Sequence, residues 1–481
     1  MSSRDLIPLL PQLIVLAAGM LIMLLEPFTA PERKSRLGQI AVLATALAAY
    51  GLSFHWVAQP RLIFQETLLI DQFSVFFQWL FLVIIGTSVL ISIKFNERES
   101  IGRGEYHSLL LFASSGMFLM AASVDLIVTF LGIEVLSIAT YILAGFKRED
   151  PRSNESSLKY FLLGSFATAF LLYGIALIYG ATGSTNYQVI REVATLPGGA
   201  QTTMVVGLVL LLVGFGFKVA LVPFHAWAPD VYEGAPSPVT AFMIVGPKAA
   251  GFAALLRLLF HALPALSADW SLLLWLLSIL TMTLGNVVAT LQTNLKRMLA
   301  YSSIAHAGYI LIGIVINSRN GLGAVLFYLV VYTVMNLGAL SIILSLSGKG
   351  DSHVHLEDYA GLSRRAPVLA AALSLFLISL AGIPLTAGFM GKFYLFSAAI
   401  QRGYTGLAII GVLNSVISVY YYFRVMIMMY MKEAPAGAPA PEPIALPVLG
   451  IVVIAAVAVV LLGVFPSQIL NLAGRSALAL K

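Results

Sequence analysis

The 481-residue chain contains no cysteine. That excludes a disulfide framework, a CxxC redox motif and a thiolate-held iron–sulfur cluster within it. Charge is scarce as well: Asp, Glu, Lys and Arg make up 10% of the residues, against about 25% in soluble domains. Strict apolar/polar alternation is missing, which excludes a transmembrane β-barrel. There is no Gly-rich phosphate loop and no nucleophile triad. His353 and His355 form a short HVH with no third ligand nearby, too little for a metal site. What remains is 59% hydrophobic with a mean hydropathy of +0.93. Lipid requires every backbone group to be paired internally, so these long apolar runs predict an all-α polytopic membrane protein. The net charge of +6 sits in short loops and points to topology, not to nucleic acid. The first apolar run is too long for a signal-peptide core and reads as a true helix.

Fourteen transmembrane helices are expected, near 6–26, 38–57, 72–94, 107–124, 126–146, 157–180, 203–228, 236–260, 270–291, 299–317, 322–346, 366–399, 404–430 and 444–465. The largest loops fall at 181–202 and 347–365, a Pro/Ala linker at 434–443, and no soluble domain follows any span. With the first connection taken as cytoplasmic, seventeen of the 28 Lys and Arg lie on that side and eight on the other. This bias orients the protein with both termini outside. The three cations left over, Lys218, Lys248 and Lys392, lie inside spans. Lys218 and Lys248 flank a turn centred near Glu233, 15 residues from each. At ~1.5 Å rise per residue, both stand near the middle of a ~30 Å hydrocarbon layer.

A charge at that depth costs about 2.5–3.5 kcal/mol on insertion scales. The competing reading is a lysine that snorkels to the interface, and depth opposes it. Lys392 stands nearer a boundary that Pro384 could shift. Glu134 is the carboxylate well inside a span; it reads either as a relay member or as a structural ion-pair partner for a buried lysine. Asp125 at the start of the same helix reads as a cap. His225, beside Pro223, and His306, mid-span beside Ser302 and Ser303, are secondary relay candidates, each also readable as hydrogen-bonded packing. Arg257 and His261 read as anchors at a span end, and Trp227, Trp270 and Trp275 as interfacial belts.

Spans 7 and 12 are both interrupted by proline, at Pro223 and Pro384, with a lysine close to each break. They are five spans apart, and an odd repeat unit places its second copy upside down. Two inverted five-helix repeats are therefore expected: residues 1–106 form three leading helices, 107–262 and 263–431 the repeats, and 432–481 a linker and last helix.

The turn PFHAWAPDVYEGAPSPVTAF at 223–242, with FLGIEVLSIATYIL, LGNVVATLQTNLKRMLAYSSIAHAGYILIG and LAGIPLTAGFMGKFYLF, resembles the antiporter-like subunits of respiratory complex I and of multisubunit cation/proton antiporters. Its DVYEGAPSPVT wording is similar to the subunit N branch of NADH:quinone oxidoreductase. The likeness covers essentially the whole chain, without the long lateral helix of the largest family member. It implies a proton relay through Glu134, Lys218, Lys248 and Lys392 in a bacterial inner membrane. It implies no cofactor in this subunit, with NADH, FMN, iron–sulfur clusters and quinone in other subunits. The implied partners are the other membrane subunits, neighbouring antiporter-like subunits among them. Two alternatives stay open: a subunit of a Na⁺/H⁺ antiporter, and a membrane scaffold with buried ion pairs. On the relay reading, Glu134 pairs with Lys218 and releases it when drawn toward a neighbour.

Overall fold

The computed structural model describes residues 6–54, 59–196, 200–434 and 444–480. The Pro/Ala linker at 434–443 lies, but for Ala434, outside the described residues. Among these residues nineteen α-helices follow in order, the first ten being α1 Leu10–Leu25, α2 Ser35–Ser53, α3 Gln72–Arg98, α4 Glu105–Ala122, α5 Leu126–Ala144, α6 Pro151–Thr182, α7 Tyr187–Ala194, α8 Ala200–Val219, α9 Trp227–Gly234 and α10 Ser237–Arg257. The second half comprises α11 Ser267–Ala289, α12 Leu295–Val315, α13 Arg319–Leu346, α14 Leu362–Arg365, α15 Pro367–Ala381, α16 Ala387–Gln401, α17 Thr405–Met431, α18 Leu446–Val464 and α19 Ser467–Leu478. Among the described residues, eleven helices are long and apolar enough to cross a membrane. α2, α4 and the divided pair α15–α16 fall outside that set.

Local chemistry sets the helix ends. Asp71, Asp125, Asp150, Asn186, Asn294 and Ser318 accept hydrogen bonds from first-turn amides, satisfying donors that have no partner within the helix. Asp125 is thus a cap. α10 is apolar nearly all round apart from Lys248 and Arg257, and every one of its 21 residues is buried. A helix of that pattern belongs in the centre of a bundle. α3, α4 and α13 pack on it, while α6, α11, α17 and α18 keep large apolar side chains on the outer surface.

Three elements depart from the expected plan. A two-stranded hairpin, Arg61–Ile63 with Leu68–Ile70, pairs antiparallel between α2 and α3, so the chain is nearly, not wholly, α-helical. The loop expected at 181–202 contains α7, with Tyr187, Ile190 and Ala194 buried on one face. A twelve-residue helix, α19, follows α18 and lies against α13. Two of the three expected belt tryptophans are interior: Trp227 and Trp270 are buried and donate to the carbonyls of Phe217 and Leu263. Their indole N–H groups find helix-end carbonyls, which the lipid surface cannot offer.

Charged side chains gather at two ends. At one, Lys159 and Arg297 bind Asp230, Arg297 also binds Glu233, Lys147 binds Glu99, and Lys296 reaches Asp351. At the opposite end, the Arg257 guanidinium meets Asp71 in a two-pronged pair, 2.6 and 2.9 Å, with both side chains at most 1% exposed. Arg257 is therefore a buried ion-pair partner and not a surface anchor.

Candidate functional site

Lys218 sits in the last turn of α8, immediately before a break at 220–226. Ala220 takes a left-handed conformation there, φ 60°, and the helix resumes at Trp227. The opened backbone groups find other partners. Phe217 O accepts the Trp227 indole N–H at 2.9 Å, and the Val222 amide donates to Thr281 Oγ1 on α11 at 3.1 Å. The Lys218 Nζ points to α5, where it donates to Ser137 Oγ at 2.9 Å, and lies 6.0 Å from the Tyr160 ring centre. Lys218 is 4% exposed.

Glu134 lies on α5 one turn before Ser137, on the same helix face. It does not form the expected ion pair: no Lys218–Glu134 contact within 4.0 Å occurs among the described residues. Thr168 Oγ1 on α6 donates to Glu134 Oε1 at 2.8 Å instead. Ser137 takes the lysine because its hydroxyl lies deeper in the bundle, whereas Glu134 is half-buried beside the exposed Leu131, Val135 and Ile138.

Lys248 lies mid-way along α10 and is 1% exposed. Its Nζ donates to both the carbonyl and the hydroxyl oxygen of Ser303 on α12, each at 2.5 Å. Tyr332 on α13 donates to the same Ser303 hydroxyl at 2.8 Å. Pro247 removes one helical donor, and the carbonyl four residues back, Met243 O, accepts the Tyr232 hydroxyl at 3.3 Å. α10 packs against the stem of Lys218: a Cβ placed on Gly251, a turn beyond Lys248, would stand 3.5 Å from Lys218 Cγ.

His306 lies one turn beyond Ser303. Its Nδ1 meets the Tyr328 hydroxyl at 2.6 Å and its Nε2 the Tyr422 hydroxyl at 3.3 Å; Tyr422 also meets Ser302 at 2.5 Å. The neighbouring Tyr309 ring is centred 5.7 Å from the histidine ring and 4.8 Å from Lys392 Nζ.

Lys392 lies after the second break, in the second turn of α16. Gly382, φ 86°, ends α15, and Leu385, φ 69°, carries the turn past Pro384. The last carbonyls of α15 lack helical donors and carry the negative end of its dipole. Lys392 Nζ reaches back to two of them, Leu380 O at 3.1 Å and Ala381 O at 3.0 Å, and to Ser415 Oγ at 2.7 Å. Lys392 is 3% exposed and forms the inner wall of a cavity of about 510 Å³ between α16 and α17.

None of the three lysines has a carboxylate within 4.0 Å among the described residues. Hydrogen bonds to a charged group are worth about 1.5–3 kcal/mol each, so one to three oxygens offset much of a midplane charge's cost. The sequence pattern passed over Ser137, Thr168, Tyr328, Tyr332, Ser415 and Tyr422 in this shell, and marked Ser302 and Ser303 only as neighbours of His306. One signal was present: hydroxyls three or four residues from Glu134 and His306. His225 lies in the first break, half-buried, with a buried Nδ1 that has no hydrogen-bond partner, and it is not joined to the lysines among the described residues. Nor does a group of three or more His, Cys, Asp or Glu gather as metal ligands among them.

Residues 123–418 match a family model described as NADH:quinone oxidoreductase/Mrp antiporter, transmembrane. NADH-quinone oxidoreductase subunit N of Trichlorobacter lovleyi is 48% identical over 97% of this chain and 96% of its own. A chain of respiratory complex I from Thermus thermophilus with bound aureothin superposes with a TM-score of 0.80 at 34% identity, covering 96% of this chain and 99% of that one. A chain of the Mrp complex from Dietzia sp. shares the fold, with a TM-score of 0.85 at 21% identity over 100% of this chain and 98% of its own. A relative this similar over nearly the full length of both chains, matched by the complex I structure, decides the branch. The chain belongs to the subunit N family of antiporter-like membrane subunits of NADH:quinone oxidoreductase.

Proposed function

We propose that this chain is the proton-translocating membrane subunit of an NADH:quinone oxidoreductase, and that protons move through it along Glu134, Lys218, Lys248, His306 and Lys392. One observation carries the reading. Three lysines are buried inside the apolar bundle, each solvated by hydroxyl or carbonyl oxygens and none neutralised by a carboxylate among the described residues. A scaffold built on buried ion pairs would hold such amines against acids. These amines are held so that a proton can stay or leave at modest cost.

Glu134 sets the first step. Its surroundings on α5 face outward, where a neighbouring membrane subunit would pack. When its charge turns inward, the Ser137-bound Lys218 ammonium is stabilised; when it turns outward, that stabilisation is lost and the proton passes inward. Ser303, Tyr332 and Tyr422 carry hydroxyls between Lys248 and His306, and bridging water would span the stretches without direct hydrogen bonds. Moving one proton against 100 mV takes about 2.3 kcal/mol, and the energy arrives from quinone reduction elsewhere in the complex. The redox groups, NADH, FMN, iron–sulfur clusters and quinone, belong to other subunits on this reading, and the chain has no independent catalytic site. The two-repeat division at 107–262 and 263–431 belongs to the same proposal, supported by a lysine beside a helix break in each half. So does placement in a bacterial inner membrane with both termini outside, supported by the bias of Lys and Arg to one set of loops.

The test measures proton pumping and NADH oxidation together in vesicles carrying Glu134→Gln, Lys218→Ala, Lys248→Ala or Lys392→Ala, with assembly checked on native gels. The relay requires normal assembly with lowered pumping. Full pumping in an assembled Lys218→Ala complex rejects it. Sodium-dependent proton flux without NADH would favour the antiporter alternative, for which the Mrp likeness speaks at the level of fold alone.

A further inference from the structure

A second cavity, of about 570 Å³, opens where the start of α13, the end of α16 and the crossing helix α19 meet. Two arginines line it, Arg319 and Arg475, both exposed and neither with a hydrogen-bond or carboxylate partner among the described residues. Asn320, Asn471, Gln401 and Tyr394 supply further polar atoms, and no carboxylate lines it among the described residues. Its floor is tied: Asn320 donates to Gln401, and Gln401 to Ser397. Its back wall is closed by a tight crossing, since a Cβ on Gly323 would lie 3.2 Å from Gly474 Cα. The packing of α19 on α13 therefore holds Arg475 and Arg319 on one concavity.

Two like charges converging on one polar hollow repel each other unless an anion lies between them. Arginine is suited to this, because its planar fork binds phosphate oxygens in pairs. Depth selects the source of the phosphate. The cavity lies at the start of α13 and the end of α16, where chain leaves the apolar helices. Arginines at the ends of membrane helices reach the interface, where the phosphates of lipid head groups lie. We propose that this cavity binds the phosphodiester of an anionic phospholipid, with Arg319 and Arg475 as its ligands. The acyl chains would run down the α16–α17 surface, past the mouth of the cleft containing Lys392, because Ser397 and Gln401 line both cavities. The site is independent of the relay.

The experiment uses the purified, delipidated whole complex. Dioleoylphosphatidylglycerol is titrated against wild type, Arg319→Gln/Arg475→Gln and Arg319→Lys/Arg475→Lys, with bound lipid counted by native mass spectrometry. Dioleoylphosphatidylcholine and inorganic phosphate are the control probes. The expected result is loss of one tightly bound phosphatidylglycerol in the Gln variant, with at least a tenfold weaker apparent affinity, partial recovery in the Lys variant and no competition by millimolar phosphate. Equal phosphatidylglycerol retention by the Gln variant overturns the proposal. Displacement by inorganic phosphate alone overturns the lipid assignment in favour of a free anion. An unchanged lipid count with a neighbouring subunit lost from the Gln complex overturns it in favour of an acidic protein partner.

Discussion

Lys218 meets Ser137, not Glu134, and that one contact changes how the site is read. A serine can hold an ammonium without neutralising it, so the lysine's charge still answers to a carboxylate a turn away. Removing that acceptor in Ser137→Ala withdraws one charge-assisted hydrogen bond, about 1.5–3 kcal/mol, and is expected to lower pumping roughly tenfold or more while assembly is retained. Proton uptake by vesicles at a fixed NADH oxidation rate measures it; unchanged stoichiometry would show that Ser137 has no part. Asp230 gives a second prediction at this scale. Burial pushes its carboxyl up, but the Lys159 and Arg297 groups bonded to it push it further down, leaving it below the usual carboxylate range. The unfolded chain therefore takes up this proton first as pH falls. The stability Asp230 confers is complete above about pH 4, the unfolded carboxyl value, and disappears as pH drops through the lower folded one. Thermal melts of wild type and Asp230→Asn from pH 3 to 7 are expected to differ by a constant amount above pH 5 and to converge below pH 4. A difference that grows at low pH would contradict it.

Both helix breaks announced themselves in the residue pattern, because proline removes a donor wherever it falls. Their shapes did not. In the first, the lysine ends the leading half and turns sideways to α5; in the second, it follows the break and turns back onto the carbonyls of α15. The second arrangement needs α16 to cross α15 closely. A Cβ on Gly388 would stand 1.8 Å from Ser379 O, a backbone atom that cannot move aside cheaply, and the Gly388 amide already donates to Ser379 Oγ. Gly388→Ala is thus expected to spread the break, release Lys392 from its carbonyls and abolish pumping, with the subunit depleted from membranes. Wild-type abundance and pumping in that variant would show that the crossing has slack. The short helices α7 and α19 escaped notice because loops were read by length and polarity. Each is amphipathic and takes its order from the bundle it lies on.

At the scale of the whole molecule, the ion pair between Asp71 and Arg257 joins the three leading helices to the first expected repeat. The residues stand 186 positions apart, and both side chains are at most 1% exposed. Breaking one partner of such a pair strands a buried charge at a cost of about 3–5 kcal/mol, whereas replacing both by apolar residues is often neutral. Arg257→Met and Asp71→Leu singly are expected to deplete the assembled complex on native gels, and the double variant to recover much of it. A double variant as depleted as the singles would mean the pair is incidental. The rest of the charge pattern falls into place with it. Loops assigned to one side by the bias of Lys and Arg meet at one end, as Asp230 with Lys159 and Arg297 and Glu99 with Lys147, and the Asp71–Arg257 pair closes the other.

Apolar run length settled that the chain is a polytopic bundle, because lipid leaves the backbone no choice but to bond within each helix. The same cost of charge in an oily layer singled out Lys218, Lys248, Lys392 and Glu134, since each is conspicuous against its own segment. Who holds those amines was a matter for the fold alone. Ser137, Ser303 and Ser415 are ordinary residues in any helix; what makes them partners is the crossing of helices 23 to 81 positions apart. Hydrogen bonds act over about 3 Å, and a one-dimensional pattern has no measure of that distance across a bundle.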